Sequence, residues 1–269
     1  VFVGVGSDDV LSMCFLTFFN SENPVFFPDI TYSFYKVWAD LYRIPYECKK
    51  VDENFHIIKE DYYPENGGVI FPNPNAPTSI YEDLEFVEDI IRHNQDVIVI
   101  VDEAYIDFAG ESALSLLDKY DNLIITQTFS KARSMAGMRS GYAIASPLLI
   151  KYLNDAKYSF NSYTMNKTSL VYGAEAVKDK EYFAETTRKI VETRDWAEEE
   201  FKKLGFVFPK PSANFIFVSH PEYDAKELFE AMKAKGIYVR FWGSRRIEQY
   251  MRITIGTKEE METMFSFLK

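Results

Sequence analysis

DVIVIVDEAYIDF, Asp96 to Phe108, is the stretch that decides the fold. Valine and isoleucine follow one another from Val97 to Val101 without a polar break. A β-branched run of this kind marks a strand buried on both faces, the environment of a parallel sheet. Asp102 ends the run at its carboxyl end, where open α/β sheets place their ligands. A carboxylate buried there is costly unless a cation meets it. Tyr105, three residues on, can reach the same ligand.

Downstream, Ala113 to Tyr120 reads as a helix and Leu123 to Thr128 as the next strand. One crossover therefore brings the two strand ends side by side. Past that strand lies TQTFSKARSMAGMRSGY, Thr126 to Tyr142, with a hydroxyl at Ser130, an amine at Lys131, a guanidinium at Arg139 and glycines at 137 and 141. A lysine amine condenses with an aldehyde to a Schiff base. A serine hydroxyl and an arginine hold a phosphate through charge-assisted hydrogen bonds. A small molecule carrying both groups is pyridoxal phosphate, and its protonated pyridine nitrogen would be the cation that Asp102 needs.

Working outward, Val1 to Asp9 (VFVGVGSDD) reads as a strand, a glycine turn and a helix start, with Ser7 and Asp8 suited to the N-cap. The N–H groups of that helix end can bind an anion, and Gly6 permits close approach. Pro24 to Phe27 is a strand, and Pro28 to Trp38 runs into a helix, with Tyr32 placed to lie over a flat ring or to join the core. Arg43 to Lys50 and Gly67 to Phe71 are strands, and Glu82 to Arg92 is an amphipathic helix. Three prolines between Pro72 and Pro77 lock a loop in which Asn73 is a rigidly presented amide. Tyr142 to Ala145 is a strand, followed by helices at 147–158, 164–177 and 181–203, the last ending at Gly205. Short strands at 206–208, 215–218, 237–240 and 251–255, with a helix at 225–235 and another closing the chain, make a βαβ-like tail. In that tail Arg240 and Arg252 lie near the ends of separate strands, where they can converge on an anion, and Asn214 stands nearby.

Bulk properties narrow the classes. The chain has 269 residues, 47% hydrophobic, enough for one large core or two smaller ones. A formal charge of −11 argues against nucleic acid and anionic membrane as partners. No apolar run reaches the ~20 residues that span a bilayer. Cys14 and Cys48 fit reduced thiols of a cytoplasmic protein, and the three histidines match no metal spacing, so no metal is expected. The chain opens at Val1 directly into a strand, which reads as a piece of a longer protein. The expected architecture is α/β. Residues 1–162 form a large cofactor-binding domain whose mostly parallel sheet is sandwiched by helices, and residues 163–269 form a smaller C-terminal α+β domain.

Five motifs together resemble a known family. They are GSDD at Gly6–Asp9, PNPNAPT at Pro72–Thr78, VDEAY at Val101–Tyr105, TFSKARSMAGMRSGY at Thr128–Tyr142 and RITIG at Arg252–Gly256. In order and spacing the chain is similar to the fold-type I pyridoxal-phosphate aminotransferases, most of all to their histidinol-phosphate aminotransferase branch, over essentially its whole length. The resemblance implies that Lys131 carries the cofactor and shuttles a proton, that Asp102 keeps the ring nitrogen protonated, and that Tyr105 is catalytic beside them. It further implies that Asn73 and Tyr105 donate to the ring's phenolic oxygen, that Tyr32 stacks on the ring, and that Gly6, Ser7, Asp8, Ser130 and Arg139 cradle the phosphate. Arg240, Arg252 and Asn214 are implied on the substrate side. The implied reaction moves an amino group from histidinol phosphate to 2-oxoglutarate in a cytoplasmic homodimer. Aromatic amino-acid transamination, threonine-phosphate decarboxylation and a non-catalytic cofactor-sensing role share these motifs. The sequence departs from the family at Val5, at Ser79, where the proline loop usually ends in glycine, and in lacking the family's N-terminal arm.

Overall fold

The computed structural model describes residues 1–269. Chain order runs β1 (Phe2–Gly4), α1 (Ser7–Phe18), β2 (Val25–Pro28), α2 (Phe34–Tyr42), β3 (Tyr46–Lys49), β4 (Gly68–Pro72), α3 (Leu84–His93), β5 (Val99–Asp102), β6 (Leu123–Thr128) and β7 (Gly141–Ala145). The order continues α4 (Pro147–Phe160), α5 (Lys167–Lys178), α6 (Lys180–Lys203), β8 (Phe215–Val218), α7 (Ala225–Ala234), β9 (Arg240–Phe241), β10 (Met251–Thr254) and α8 (Lys258–Leu268). The first seven strands form one sheet in the order β1-β7-β6-β5-β4-β2-β3, and β8-β10-β9 form a second. Four junctions of the large sheet are parallel, and the two that involve β7 are antiparallel.

The β5 run behaves as its composition demands. Val99, Ile100 and Val101 are wholly buried, but to opposite faces. Val99 and Val101 join Val69, Phe71, Leu123 and Ile125 in a core under α3, while Ile100 joins Ile70, Ile124 and Phe27 in a core under α1, α2 and α4. Each such side chain contributes about 1.5–3 kcal/mol of burial. The two-residue period carries Asp102 to the α1–α2 face and Glu103 to the other. A third core, built by Phe201, Met232, Ile253 and Phe265, joins the small sheet to α6, α7 and α8.

Several expected elements come out shorter. The helix expected once Asp29-Ile30-Thr31 is passed starts only at Phe34, and the segment before it is tied down by Asn75, which donates to the Ile30 carbonyl (2.9 Å) and accepts from the Thr31 hydroxyl (3.1 Å). Ala113 to Leu116 is a single 3-10 turn rather than a helix through Tyr120. The strand expected at 206–208 is one bridge, Val207 to Ser219, and the one expected at 237–240 is the pair Arg240–Phe241. Gly205, in the left-handed region (φ 82°), follows α6 as expected.

Candidate active site

The loops at the carboxyl ends of β4, β5 and β6 and the start of α1 enclose a cavity of about 180 Å³. Ser7, Asp8, Tyr32, Asp102, Tyr105, Ser130, Lys131 and Arg139 all line it, drawn from segments more than a hundred residues apart. Of the residues expected to meet the cofactor, only Gly6 and Asn73 are not on its wall.

Asp102 is 4% exposed at the end of β5 and makes no ion pair. Burial pushes its carboxyl up to about 6, against the pull of the Tyr35 hydroxyl (2.9 Å), the Ala104 N–H (3.2 Å) and the Thr126 hydroxyl (3.3 Å). An acid in that state favours a cationic partner from outside the chain. Tyr35 was legible only as one more aromatic of α2. It is wholly buried, and its hydroxyl, raised well above its ordinary value by burial and by Asp102, aims the carboxylate at the cavity.

Lys131 is half-buried, with its Nζ 5.2 Å from the centre of the Tyr105 ring. The side chains of Lys131, Ser130 and Ser7 have no hydrogen-bond or ion-pair partner within the chain, so their polar atoms are free to meet a ligand. The expected Ser7 N-cap is corrected by the structure. Gly6 is the N-cap (φ 91°), no side chain caps α1, and the carboxylate of Asp9 turns back to accept the Val5 N–H at 2.8 Å. A helix start without a side-chain cap leaves its first N–H groups for an anion. Arg139, itself left-handed (φ 48°), crosses over this point, and a Cβ at Gly6 would stand 2.5 Å from its Nη2. Its approach to Asp8 is loose, at 3.8 Å. Asp8 mainly accepts from the Tyr32 hydroxyl (2.7 Å), which fixes that ring over the cavity.

Asn73 is a second correction. Its side chain is closed into a pair of hydrogen bonds with the Glu82 backbone, donating to the carbonyl (2.8 Å) and accepting from the N–H (2.9 Å), which ties it to the loop and off the cavity wall. Ser79, where glycine was the expected residue, takes a left-handed φ of 66° and uses its hydroxyl to accept the N–H groups of Ser212 (3.0 Å) and Ala213 (2.8 Å).

A wider cleft of about 640 Å³ adjoins the cavity, sharing Tyr32 and Ala76 with it. Arg240 and Arg252 face each other across β9 and β10 in register, and both line this cleft with Lys36, Arg245 and Trp242. The guanidinium of Arg252 lies 4.9 Å from the Phe215 ring and 5.6 Å from that of Trp242, and its buried Nε has no partner. Two like charges placed together with an orphaned donor suit an anion. Asn214 is half-buried, accepts the Ile255 N–H on its carbonyl (2.9 Å), and lines neither cavity.

The cofactor expected from the sequence fits this set of residues. A buried acid without a cation, an unpartnered amine, and a helix start under an arginine that glycine alone accommodates match a ring nitrogen, an aldehyde and a phosphate respectively.

Residues 1–268 match the family of aminotransferases of class I and II. The chain is 48% identical to the histidinol-phosphate aminotransferase of Lactococcus lactis subsp. lactis strain IL1403, over all of this chain and 75% of that protein. It is 47% identical to the enzyme of that name from Clostridium botulinum strain Langeland, over all of this chain and 76% of that protein. Among solved structures, the histidinol-phosphate aminotransferase of Clostridium acetobutylicum superposes with a TM-score of 0.90 at 22% identity, covering 99% of this chain and 82% of that one. The Sinorhizobium meliloti enzyme in complex with pyridoxal-5'-phosphate superposes at 0.86 and 22% identity, covering 99% and 74%. These superpositions establish the fold-type I architecture, and with the match over nearly every residue they show that the chain belongs to the class I and II aminotransferase family.

Proposed function

We propose that the chain transfers the amino group of histidinol phosphate to 2-oxoglutarate. Its cofactor is pyridoxal phosphate. The observation that carries the reading is the juxtaposition of the cavity that joins Lys131 to Asp102 with a cleft that sets Arg240 opposite Arg252. The relatives at 47–48% identity are named histidinol-phosphate aminotransferase, which supports the donor.

When bound, the cofactor supplies an electron-withdrawing ring that takes up the charge left as the donor's Cα–H bond breaks. The chain's own residues do the rest. Asp102, held by Tyr35 and Thr126, would keep a proton on the ring nitrogen. The Lys131 amine, free of ion pairs beside Tyr105, takes the proton from the donor's Cα and returns it. Ser7, Ser130, Arg139 and the open start of α1 would hold the cofactor's phosphate, and Tyr32 shields one face from water. Arg240 and Arg252 orient the anionic end of each substrate in turn, which supplies the proximity term. Asn214 leads into β8, whose Phe215 packs on the Tyr105 ring (5.0 Å) and beside the Arg252 guanidinium (4.9 Å).

The chain is proposed to act as a cytoplasmic homodimer of two-domain subunits, divided near residue 162. Two unpaired thiols, no helix long or apolar enough to cross a membrane, and exposed Leu148, Tyr152, Phe160, Leu170 and Tyr172 on α4 and α5 support this reading. The direct test is glutamate formation from histidinol phosphate and 2-oxoglutarate with added pyridoxal phosphate. Turnover at least about tenfold above that with phenylalanine as donor supports the reading, and preference for another donor refutes the substrate.

A further inference from the structure

Asp29 is the sole carboxylate on the wall of the cleft that holds Lys36, Arg240, Arg245 and Arg252. An unpaired acid in that position would oppose the anion that the four cations attract. It is not unpaired. Arg246, 217 residues away in sequence, donates from Nη1 to its Oδ2 at 2.9 Å. The second arm of the same guanidinium donates to the carbonyls of Val51 (2.8 Å) and Asp52 (2.9 Å), and Asp29 Oδ1 accepts the Val51 N–H at 3.1 Å. Arg246 adopts a left-handed φ of 76°. With that turn, Arg245 lines the cleft while Arg246 reaches Asp29 and the loop after β3. The backbone conformation is unfavourable for a side-chain-bearing residue and persists because three hydrogen bonds and the buried Ile247 hold it.

We propose that Arg246 is a positioning residue that neutralises Asp29, so that the wall around Arg240 and Arg252 presents only positive charge to the substrate. The proposal rests on the reading of this cleft as the substrate-anion site. It makes Arg246 a determinant of anion affinity without contact to the cofactor.

The test uses the pyridoxal-phosphate-loaded protein and two readouts: the KM for histidinol phosphate and the Kd for inorganic phosphate by titration calorimetry. Arg246→Gln keeps donors for the carbonyls and removes the charge. It is expected to weaken phosphate and raise KM by about tenfold with kcat within about threefold of the parent, the effect of one uncompensated charge in a partly screened cleft. Adding Asp29→Asn restores neutrality and is expected to bring both values back to within about threefold, a recovery that lost packing would not give. Should Arg246→Gln fold poorly, Arg246→Lys, which keeps the charge, is expected to hold affinity near the parent. Affinity within about twofold of the parent in Arg246→Gln, or a double variant as weak as the single one, overturns the proposal. If the parent does not turn over histidinol phosphate yet phosphate binding depends on Arg246 as described, the substrate assignment fails and the role of Arg246 stands.

Discussion

Replacing Asp102 by asparagine should make the cofactor-free protein more stable and the loaded protein much less active. The carboxyl rises from 3.8 in the unfolded chain to about 6 in the folded one, with burial the largest cause. A raised carboxyl pKa means that the folded state keeps a proton that the unfolded state has lost, so stability falls as pH rises from about 4 to about 6 and stays low above that. At 1.36 kcal/mol per unit, the charged form costs about 3 kcal/mol at pH 7.5 and about half of that at pH 5. Asparagine carries no such cost. Its carbonyl can accept from Ala104 and Thr126 as the Oδ1 of Asp102 does, and its amide can donate to Tyr35 Oη, which then accepts. For a chain of this size about 3 kcal/mol corresponds to a Tm higher by roughly 5 °C. The assay is thermal unfolding of both proteins without cofactor at pH 7.5 and at pH 5, then repeated with pyridoxal phosphate. The gain should be largest at pH 7.5 and should shrink or reverse when the cofactor is present, since the aspartate, unlike asparagine, offers the ring nitrogen a counter-charge. An asparagine variant that is less stable at pH 7.5, or equally favoured at both pH values, would refute the idea that Asp102 is held as an unpaired buried acid.

Tyr35→Phe removes one of the bonds that lower the Asp102 pKa. It should move the acidic limb of the rate profile to higher pH and weaken cofactor binding by about ten- to a hundredfold, the worth of one charge-assisted hydrogen bond, as a pH–rate series with cofactor titration would show. Gly6→Ala places a methyl 2.5 Å from the Arg139 guanidinium at a φ of 91°. It should cost about 1–2 kcal/mol of stability and reduce phosphate-dependent cofactor retention, both visible by denaturation and by dialysis. Arg252→Leu should raise the KM for histidinol phosphate by at least about tenfold while leaving the cofactor bound, and an unchanged KM would remove Arg252 from the substrate site.

What the sequence disclosed and what it did not follow from the range of the interactions. The β5 run, the Asp102 that ends it and the Lys131–Arg139 loop are local statements, since burial period and residue chemistry lie within a few positions. The structure brings Asp102, Ser130, Lys131 and Arg139 to the wall of one cavity. Tyr35 could not be told from core aromatics such as Trp38, because the distinction is whether a hydroxyl meets a carboxylate 67 residues later. Asn73 differs from its expected place in the opposite direction, standing off the cavity wall. Its loop is as rigid as three prolines suggest, but that rigidity includes the Glu82 backbone closing on the amide itself. Ser7 was expected to cap α1, and the presence of Gly6 with Asp9 bonding backwards left that helix start open instead. The contacts of Ser79 with Ser212 and Ala213 and of Arg246 with Asp29 join segments more than 130 residues apart, beyond the reach of any spacing rule.

The central claim is that Lys131 carries the cofactor in a site completed by Asp102. Incubation with pyridoxal phosphate, reduction with borohydride and peptide mass spectrometry test it directly. The account predicts a pyridoxyl label on Lys131 alone among the lysines, lost in Lys131→Ala, and weakened in Asp102→Asn. A label on another lysine, or equal labelling of Lys131 and exposed lysines such as Lys151, would contradict it.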